Sequence, residues 1–316
     1  TFMAVMLFSD RLDAATYYIA TNGNDNNPGT LAAPWRNISK ANSTLAAGDR
    51  VEIRSGIYDD LIQPANSGTS ENARITYTSY NGEAVFIRGK TTASSGSTVQ
   101  ASGRSYITIS NLDLSGDKYS VFGSSSLIWA NNSSYFKLLN CTVTKANYLS
   151  DPRLAAGLSS TGIRAEDRER AVNLGNAQSA LVENCTIVGW QTAVIAGLSQ
   201  NSILRSNVFQ NNWHSVIDIG NYGATATPVD LYLLIENNHI GGSMISDGVQ
   251  TGTDNATTVM NRKIVIRNNY FYYNGEDHMD FKGGGEILVE GNVIVGASGG
   301  GYLRATYGQA PDTVPG

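Results

Sequence analysis

Two apolar columns, five residues apart, recur along the chain. They run through ITISNLDL (107–114), KLLNCTV (137–143), LVENCTI (181–187), ILRSNVF (203–209), LIENNHI (234–240), VIRNNYF (265–271) and LVEGNVI (288–294). The first column reads Ile109, Leu138, Val182, Leu204, Ile235, Ile266 and Val289. The second reads Leu114, Val143, Ile187, Phe209, Ile240, Phe271 and Ile294. Between them lies a polar turn with Asn207, Asn238, Asn269 and Asn292 in register, and Cys141 and Cys185 hold that column in two earlier repeats. Short apolar runs at spacings of 22, 23, 29, 31, 31 and 44 residues, each broken by the same turn, predict a solenoid. The expected class is all-β: a right-handed parallel β-helix, its coils stacked about 4.8 Å apart. Asparagine stacked on asparagine can bond its amide to the turns above and below, which satisfies buried turn polar groups.

The N-terminal part fits the same plan. TYYIATNGNDNNPGTLAAPWRNISKANSTLAAGDRVEIRSGIYDD reads as strand, turn, short helix and strand. Ile38, Ala41, Leu45 and Ala46 give the helix an apolar face and Gly48 ends it. An open solenoid end needs a cover, so a helix over 38–47 is expected to cap a β-helix running over about residues 50–305. Residues 16–316 read as one such domain. Residues 1–15, TFMAVMLFSDRLDAA, combine an apolar run with following small residues. They read as the remnant of a secretory signal peptide or, given Asp10, Arg11 and Asp13, as an N-terminal cap. The 44-residue interval holds either two coils or one coil with an excursion, and DPRLAAGLSSTGIRAEDRERA (151–171) supplies a charged, solvated loop for the latter. Asn-x-Ser/Thr triplets begin at Asn37, Asn42, Asn140 and Asn184, and the last two, set in the repeat, read as structural.

Composition narrows the picture further. Thirty-three glycines and 16 tyrosines among 316 residues favour turns and strands. A net charge of −5 with no basic run argues against a nucleic-acid partner. No stretch of about 18 apolar residues is present, so no membrane span is expected. Two cysteines are too few for a disulfide framework and read as small buried turn residues. A monomer is expected.

The candidate chemistry lies in NYFYYNGEDHMDFKGGG (269–285), where three acids, a histidine and a lysine fall within seven residues. With the repeat as ruler, HSVID (214–218), SDGVQ (246–250), EDHMD (276–280) and GGGYL (299–303) are equivalent, allowing for one-residue slips. Asp247 then stacks beside Asp277, while Asp218, Gln250 and Asp280 form a second column. Asp277 and Asp280 are three apart around a corner and face one point if the strand bends there. Asp247, Glu276, Asp277 and Asp280 on two adjacent coils would repel one another, and a hard cation with oxygen ligands relieves this; Ca²⁺ tolerates such irregular carboxylate cages. The alternative is a solvated loop, or ion pairs to Lys282 and Arg262. Zinc is disfavoured because only His278 and His214 could supply nitrogen.

Two resemblances follow from these residues. NGNDNNPGTLAAPWRNISKA followed by AGDRVEIRSGIY resembles the opening of many secreted right-handed β-helix carbohydrate-active proteins, which implies an architecture and an extracellular or periplasmic location but no reaction. Over roughly residues 240 to 305 the chain also resembles pectate lyases of polysaccharide lyase family nine. These carry Asp-Gly-Phe on one coil and Asp-Asp-Gly-x-Asp on the next, whose four aspartates bind the catalytic calcium. Asp247-Gly248-Val249 matches the first element; Glu276-Asp277-His278-Met279-Asp280 matches the second, with Glu for the first Asp and His for Gly. The chain departs from the family at the base. Where the family has Gly-Asn-Gly-Phe-Lys, this sequence has Gly301-Tyr302-Leu303-Arg304, with leucine at the lysine position and arginine one place on. The chain stops at Gly316, which leaves room for a further coil.

The resemblance implies calcium-dependent β-elimination on an acidic, uronic-acid-containing polysaccharide such as pectate. Arg304, by position, and Lys282, two residues after Asp280 and on the same strand face, are the candidate bases. His278, His214, Tyr273 and Tyr302 are the candidate substrate contacts, with Tyr270, Tyr272 and Trp213 as further stacking aromatics. Two other readings stand beside this one. A glycoside hydrolase would use two of the same carboxylates about 5–9 Å apart. A non-catalytic carbohydrate-binding or adhesive β-helix would need no base.

Overall fold

The structure is a computed structural model, which describes residues 14–89, 97–116, 126–145, 169–220, 229–243, 246–252, 261–282, 285–297 and 301–306. Its strands form three sheets of ten, nine and eight strands, and every strand pairing among the described residues is parallel. Each coil contributes one strand to each sheet in turn. One full coil runs through Ile203–Arg205, Val208–Gln210 and Ile217–Ile219. The next begins at Val229–Glu236, beside the first of these. The fold is a right-handed parallel β-helix.

Both apolar columns sit where the repeat places them. Ile109, Leu138, Val182, Leu204, Ile235, Ile266 and Val289 are successive partners in the first sheet. Leu114 through Ile294 are successive partners in the second. A third inner column, which the repeat did not show, runs Val99, Ile128, Val172, Val194, Ile217, Val249 and Met279; each is fully buried. Since Leu138 pairs directly with Val182, the 44-residue interval is one coil with an excursion. Residues 146–168 lie outside the described residues, and Arg170–Asn173, at the end of the loop expected at 151–171, is a strand of the third sheet.

The turn between the first two sheets is held by the asparagine column. The backbone N and Nδ2 of Asn238 both donate to Asn269 Oδ1, at 2.9 and 3.0 Å, and Nδ2 also donates to Leu204 O at 2.9 Å. Asn207 bonds to Asn238, and Asn269 to Asn292, in the same way. The residue just before the ladder takes a left-handed conformation: Asn111, Asn140, Asn184, Asn237 and Asn268 have φ of 53–57°. Asn140 and Asn184 therefore occupy the strained position of the turn, one place before the ladder column that Cys141 and Cys185 fill. Asparagine tolerates that conformation better than most side chains. Both cysteines are buried and reduced.

The first strand, Thr16–Ile19, pairs with Arg50–Ile53, so the β-helix begins before residue 50. The helix spans Ile38–Thr44 and buries Ile38 and Ala41 in the core beneath the first coils, with Leu45 beside them. It ends at Leu45, whose extended backbone stops it, and not at Gly48. Gly48, at φ +98°, serves the following turn, where Asp49 N bonds Ala46 O. Residues 1–13 lie outside the described residues. No helix among the described residues is long and apolar enough to cross a membrane.

One buried ion pair, Lys145–Glu169, joins the last described residue before the excursion to the first one after it. Both side chains are 6% exposed, so removing one partner leaves a desolvated charge. Lys145→Met should cost about 3–5 kcal/mol in urea unfolding, and adding Glu169→Leu should recover most of that loss. In the ladder, Asn269→Ala leaves Asn238 N and Ile235 O without their amide partner. It should destabilise by about 2–3 kcal/mol on the same measurement.

Candidate metal centre

The third sheet carries the acidic cluster. Val249 pairs with Met279 and Gln250 with Asp280, so Asp247 lies one coil below Asp277, as the sequence alignment of coils requires. The backbone N of Asp277 donates to Asp247 Oδ1 at 3.2 Å, and Gly248 N to Asp277 O at 3.0 Å. Asp218, Gln250 and Asp280 are successive partners on the outer face of the sheet. Asp247, Asp277 and Asp280 are 1%, 4% and 0% exposed, and one carboxylate oxygen from each lies within 4.8 Å of the others. Asp277 and Asp280, three residues apart, thus converge on one point. Glu276 is exposed and falls outside this group, although its charge is felt by Asp247.

The inside of this corner is closely packed. His278 is fully buried, edge-on to Phe271 at 6.1 Å between ring centroids, with Asn274 Nδ2 3.0 Å from its Nδ1. An amide nitrogen only donates, so Nδ1 is the acceptor. One coil below, Gly248 leaves room for the backbone carbonyl of His278, the Asn274 amide and the Phe271 ring. A Cβ there would stand 2.6 Å from His278 O, 2.8 Å from Asn274 Nδ2 and 3.1 Å from Phe271 Cδ1. His278 thus supports the corner from inside, away from any sugar, because packing took the ring inward at the turn. Burial pushes its pKa down, against the charge of Asp277.

The other expected site residues separate. Lys282 lies 3.4 Å from Asp280 Oδ2, on the same strand face as expected. Arg262 pairs with Asp230 and takes no part. Arg304 lies directly opposite Asp280 in the sheet, and Leu303 opposite Met279, so the coil is shifted by one from the equivalence read in the sequence. The side chains of Tyr302 and Arg304 lie outside the described residues. Tyr273 is 68% exposed at the corner before the cluster, whereas Trp213 is buried and offers no stacking face. His214 is half-buried, and its Nδ1 is 3.2 Å from Ser215 Oγ. His239 lies on the outside of the second sheet beside Tyr270.

Sequence reasoning missed the hydroxyl network under the cluster. Ser246 Oγ donates to Asp247 Oδ2 at 3.3 Å, and Ser215 Oγ lies 3.2 Å from Ser246 Oγ and donates to Gln250 Oε1. Serines are common in these turns, and only the coil register singles out these two.

Three buried carboxylates in mutual reach fit a hard divalent cation. Oxygens bound to one Ca²⁺ at about 2.4 Å stand no more than about 4.8 Å apart, and neither cysteine nor an exposed imidazole competes in the donor set. Without a cation Asp247 favours its protonated form. Burial first, then the charges of Asp280 and Glu276, push Asp247 up to about 7, against the hydrogen bond from Asp277 N and the charge of Lys282.

Comparison with known proteins adds a lineage. Residues 17–212 match the family described as "Pel9A-like, right handed beta helix region", and residues 126–310 match "Right handed beta helix region". YwoF of Bacillus subtilis (strain 168), an uncharacterized protein, is 25% identical over 224 residues, covering 67% of this chain and 45% of YwoF. Pectate lyase PEL9 of Emericella nidulans is 35% identical over 79 residues, covering 24% of this chain and 19% of that enzyme. The chain thus spans less than half the length of either relative. The solved complex of XylC with xylose superimposes with a TM-score of 0.63 at 14% identity, over 92% of this chain and 70% of XylC, and shares the fold.

The raised Asp247 pKa sets the sign of a pH effect. The folded value, about 7, lies above the ordinary 3.8, so between these pH values the unfolded chain releases a proton that the folded one keeps. In EDTA, stability should therefore fall as pH rises from about 4 to about 7 and level off above, by up to about 4 kcal/mol. Asp247→Asn should flatten this dependence in urea titrations run at several pH values.

Proposed function

This chain belongs to the Pel9A-like right-handed β-helix family, and from that premise we propose that it is a calcium-dependent polysaccharide lyase. It acts outside the cell or in the periplasm, as a monomer, on an acidic, uronic-acid-containing polysaccharide of the pectate type, cleaving by β-elimination. The observation that carries this reading is the convergence of Asp247, Asp277 and Asp280 from two adjacent coils, with Lys282 beside them. The pectate lyase name of the PEL9 relative supports it.

Asp247, Asp277 and Asp280 would hold Ca²⁺. When bound, the cation would hold the substrate carboxylate and draw off the charge that develops beside C5 as its proton leaves. The chain's own residues must do the rest. A proton acceptor has to stand about 3 Å from the C5 hydrogen. The electrons of the C5–H bond then form the C4–C5 double bond, and the C4–O bond breaks with its electron pair leaving on the oxygen of the departing sugar, which takes up a proton from water. Arg304 is the first candidate by position, since its strand lies directly against that of Asp280. Lys282 is the second, and its ion pair with Asp280 keeps it charged until a cation takes over that carboxylate. Tyr273, exposed at the corner, offers a ring face for a sugar, and His214 borders the same face one coil before Asp247.

A second reading rests on Asp247. A carboxyl group titrating near 7 beside two others is what a glycoside hydrolase needs as its general acid. The grouping favours the cation instead, because three carboxylates with oxygens within 4.8 Å of one another suit a shared metal better than the pair a hydrolase uses.

The test follows absorbance near 235 nm, a general signature of unsaturated uronic ends, on pectate, alginate and rhamnogalacturonan. Activity should disappear in EDTA and return with calcium. Asp277→Ala should abolish calcium-dependent thermal stabilisation and lower the rate by at least about a thousandfold, while either Arg304→Ala or Lys282→Ala should lose several orders of magnitude. New reducing ends without absorbance would establish the hydrolase reading instead. No product of either kind would leave a binding module.

A further inference from the structure

Gln250 occupies an unusual place. It is the middle member of the outer column Asp218, Gln250, Asp280, and the two acids flanking it are 6% and 0% exposed. Gln250 itself is only half-buried, so it is the member of the column that solvent reaches most readily. Its amide is also oriented. Ser215, fully buried one coil below, donates its hydroxyl to Gln250 Oε1. Ser215 Oγ in turn lies 3.2 Å from both His214 Nδ1 and Ser246 Oγ.

The oxygen and nitrogen of a side-chain amide diverge from one carbon, so fastening Oε1 to Ser215 restricts where Nε2 can lie. The result is a neutral double donor, fixed from beneath, next to a cluster of three acids that repels anions. A glutamine serving only to tie coils together would bond to its column neighbours, as the asparagines do at the other corner. Here its acceptor end is instead taken by a buried serine from a different column.

Resting on the lyase reading above, we propose that Gln250 reads the acid group of the substrate: Nε2 donates to a carboxylate oxygen of the uronic acid residue bound at the cation. The chemistry is specific. An amide can neutralise neither the cation site nor a proton acceptor, so its contribution lies in orienting an anionic sugar and in selecting it over a neutral one. Ser215 is a positioning residue that acts through Gln250.

The experiment measures binding of a uronic acid trisaccharide, and of its methyl-esterified counterpart, by isothermal titration calorimetry in saturating calcium. Calcium affinity without sugar is measured separately. Gln250→Ala should weaken the acid trisaccharide about tenfold and leave calcium affinity within about threefold of the parent. Gln250→Glu, close in shape but lacking the donor and carrying a charge, should weaken the acid form by about a hundredfold or more, and the ester much less. Ser215→Ala should weaken the acid form about threefold to tenfold, with unfolding in calcium little changed. A Gln250→Glu variant that binds the acid trisaccharide like the parent overturns the assignment. So does a Gln250→Ala variant that loses calcium affinity in proportion to sugar affinity, since the residue would then act through the cation site. A parent protein that binds no uronate in calcium overturns the lyase reading and this assignment together, whereas a parent that binds it while Gln250→Glu is unaffected overturns this assignment alone.

Discussion

Strict register between successive coils is the constraint on which everything else in this protein depends. Parallel strands about 4.8 Å apart place like residues directly over one another, so each column is repeated, for better or worse, along the solenoid. In the interior this favours single-residue columns of Val, Ile and Leu, which pack against their own kind. At the first corner it lets one asparagine amide meet the next. A slip of one residue would turn Leu138 or Val182 outward and separate Asn238 from Asn269, so the cost of losing register is felt on every sheet at once.

The same stacking works against the protein in the third sheet. Asp247 over Asp277, with Asp280 turned toward both, sets like charges in a place where water is largely excluded. Burial alone would favour neutral carboxyls, and the neighbouring charges strengthen that preference, which is why Asp247 holds its proton to about pH 7. The fold gains nothing in stability from this arrangement. Acids kept together against that cost, on one face of a solenoid otherwise built from apolar columns and satisfied amides, are the feature on which the proposed function rests.

How the acids come to face one point is a matter of the corner and not of the strand. Alternation by itself would put residues 277 and 280 on opposite faces. The corner is packed from the inside by His278, Asn274 and Phe271, and the coil beneath yields space at Gly248. Outside, the hydroxyls of Ser215 and Ser246 fasten Gln250 and Asp247 in place. The cluster therefore rests on packed interior groups and hydrogen bonds, which is the kind of support a preorganised site requires.

Much of this was legible in the sequence, because a solenoid converts linear spacing into spatial contact. The apolar columns, the asparagine ladder and the pairing of Asp247 with Asp277 and of Gln250 with Asp280 all follow from aligning one coil with the next. What spacing does not carry is the direction of a side chain at a bend or the depth at which it ends. His278 and Glu276, neighbours of Asp277, read alike as surface site residues, yet the corner takes one into the core and leaves the other in solvent. The shift that puts Arg304, and not Leu303, against Asp280 is likewise a property of loop length between strands, which the repeat does not constrain. The sequence alone determined which residues share a coil position. Only the packed corner decided which of them face a common point, since that depends on contacts between coils and not on the order of residues within one.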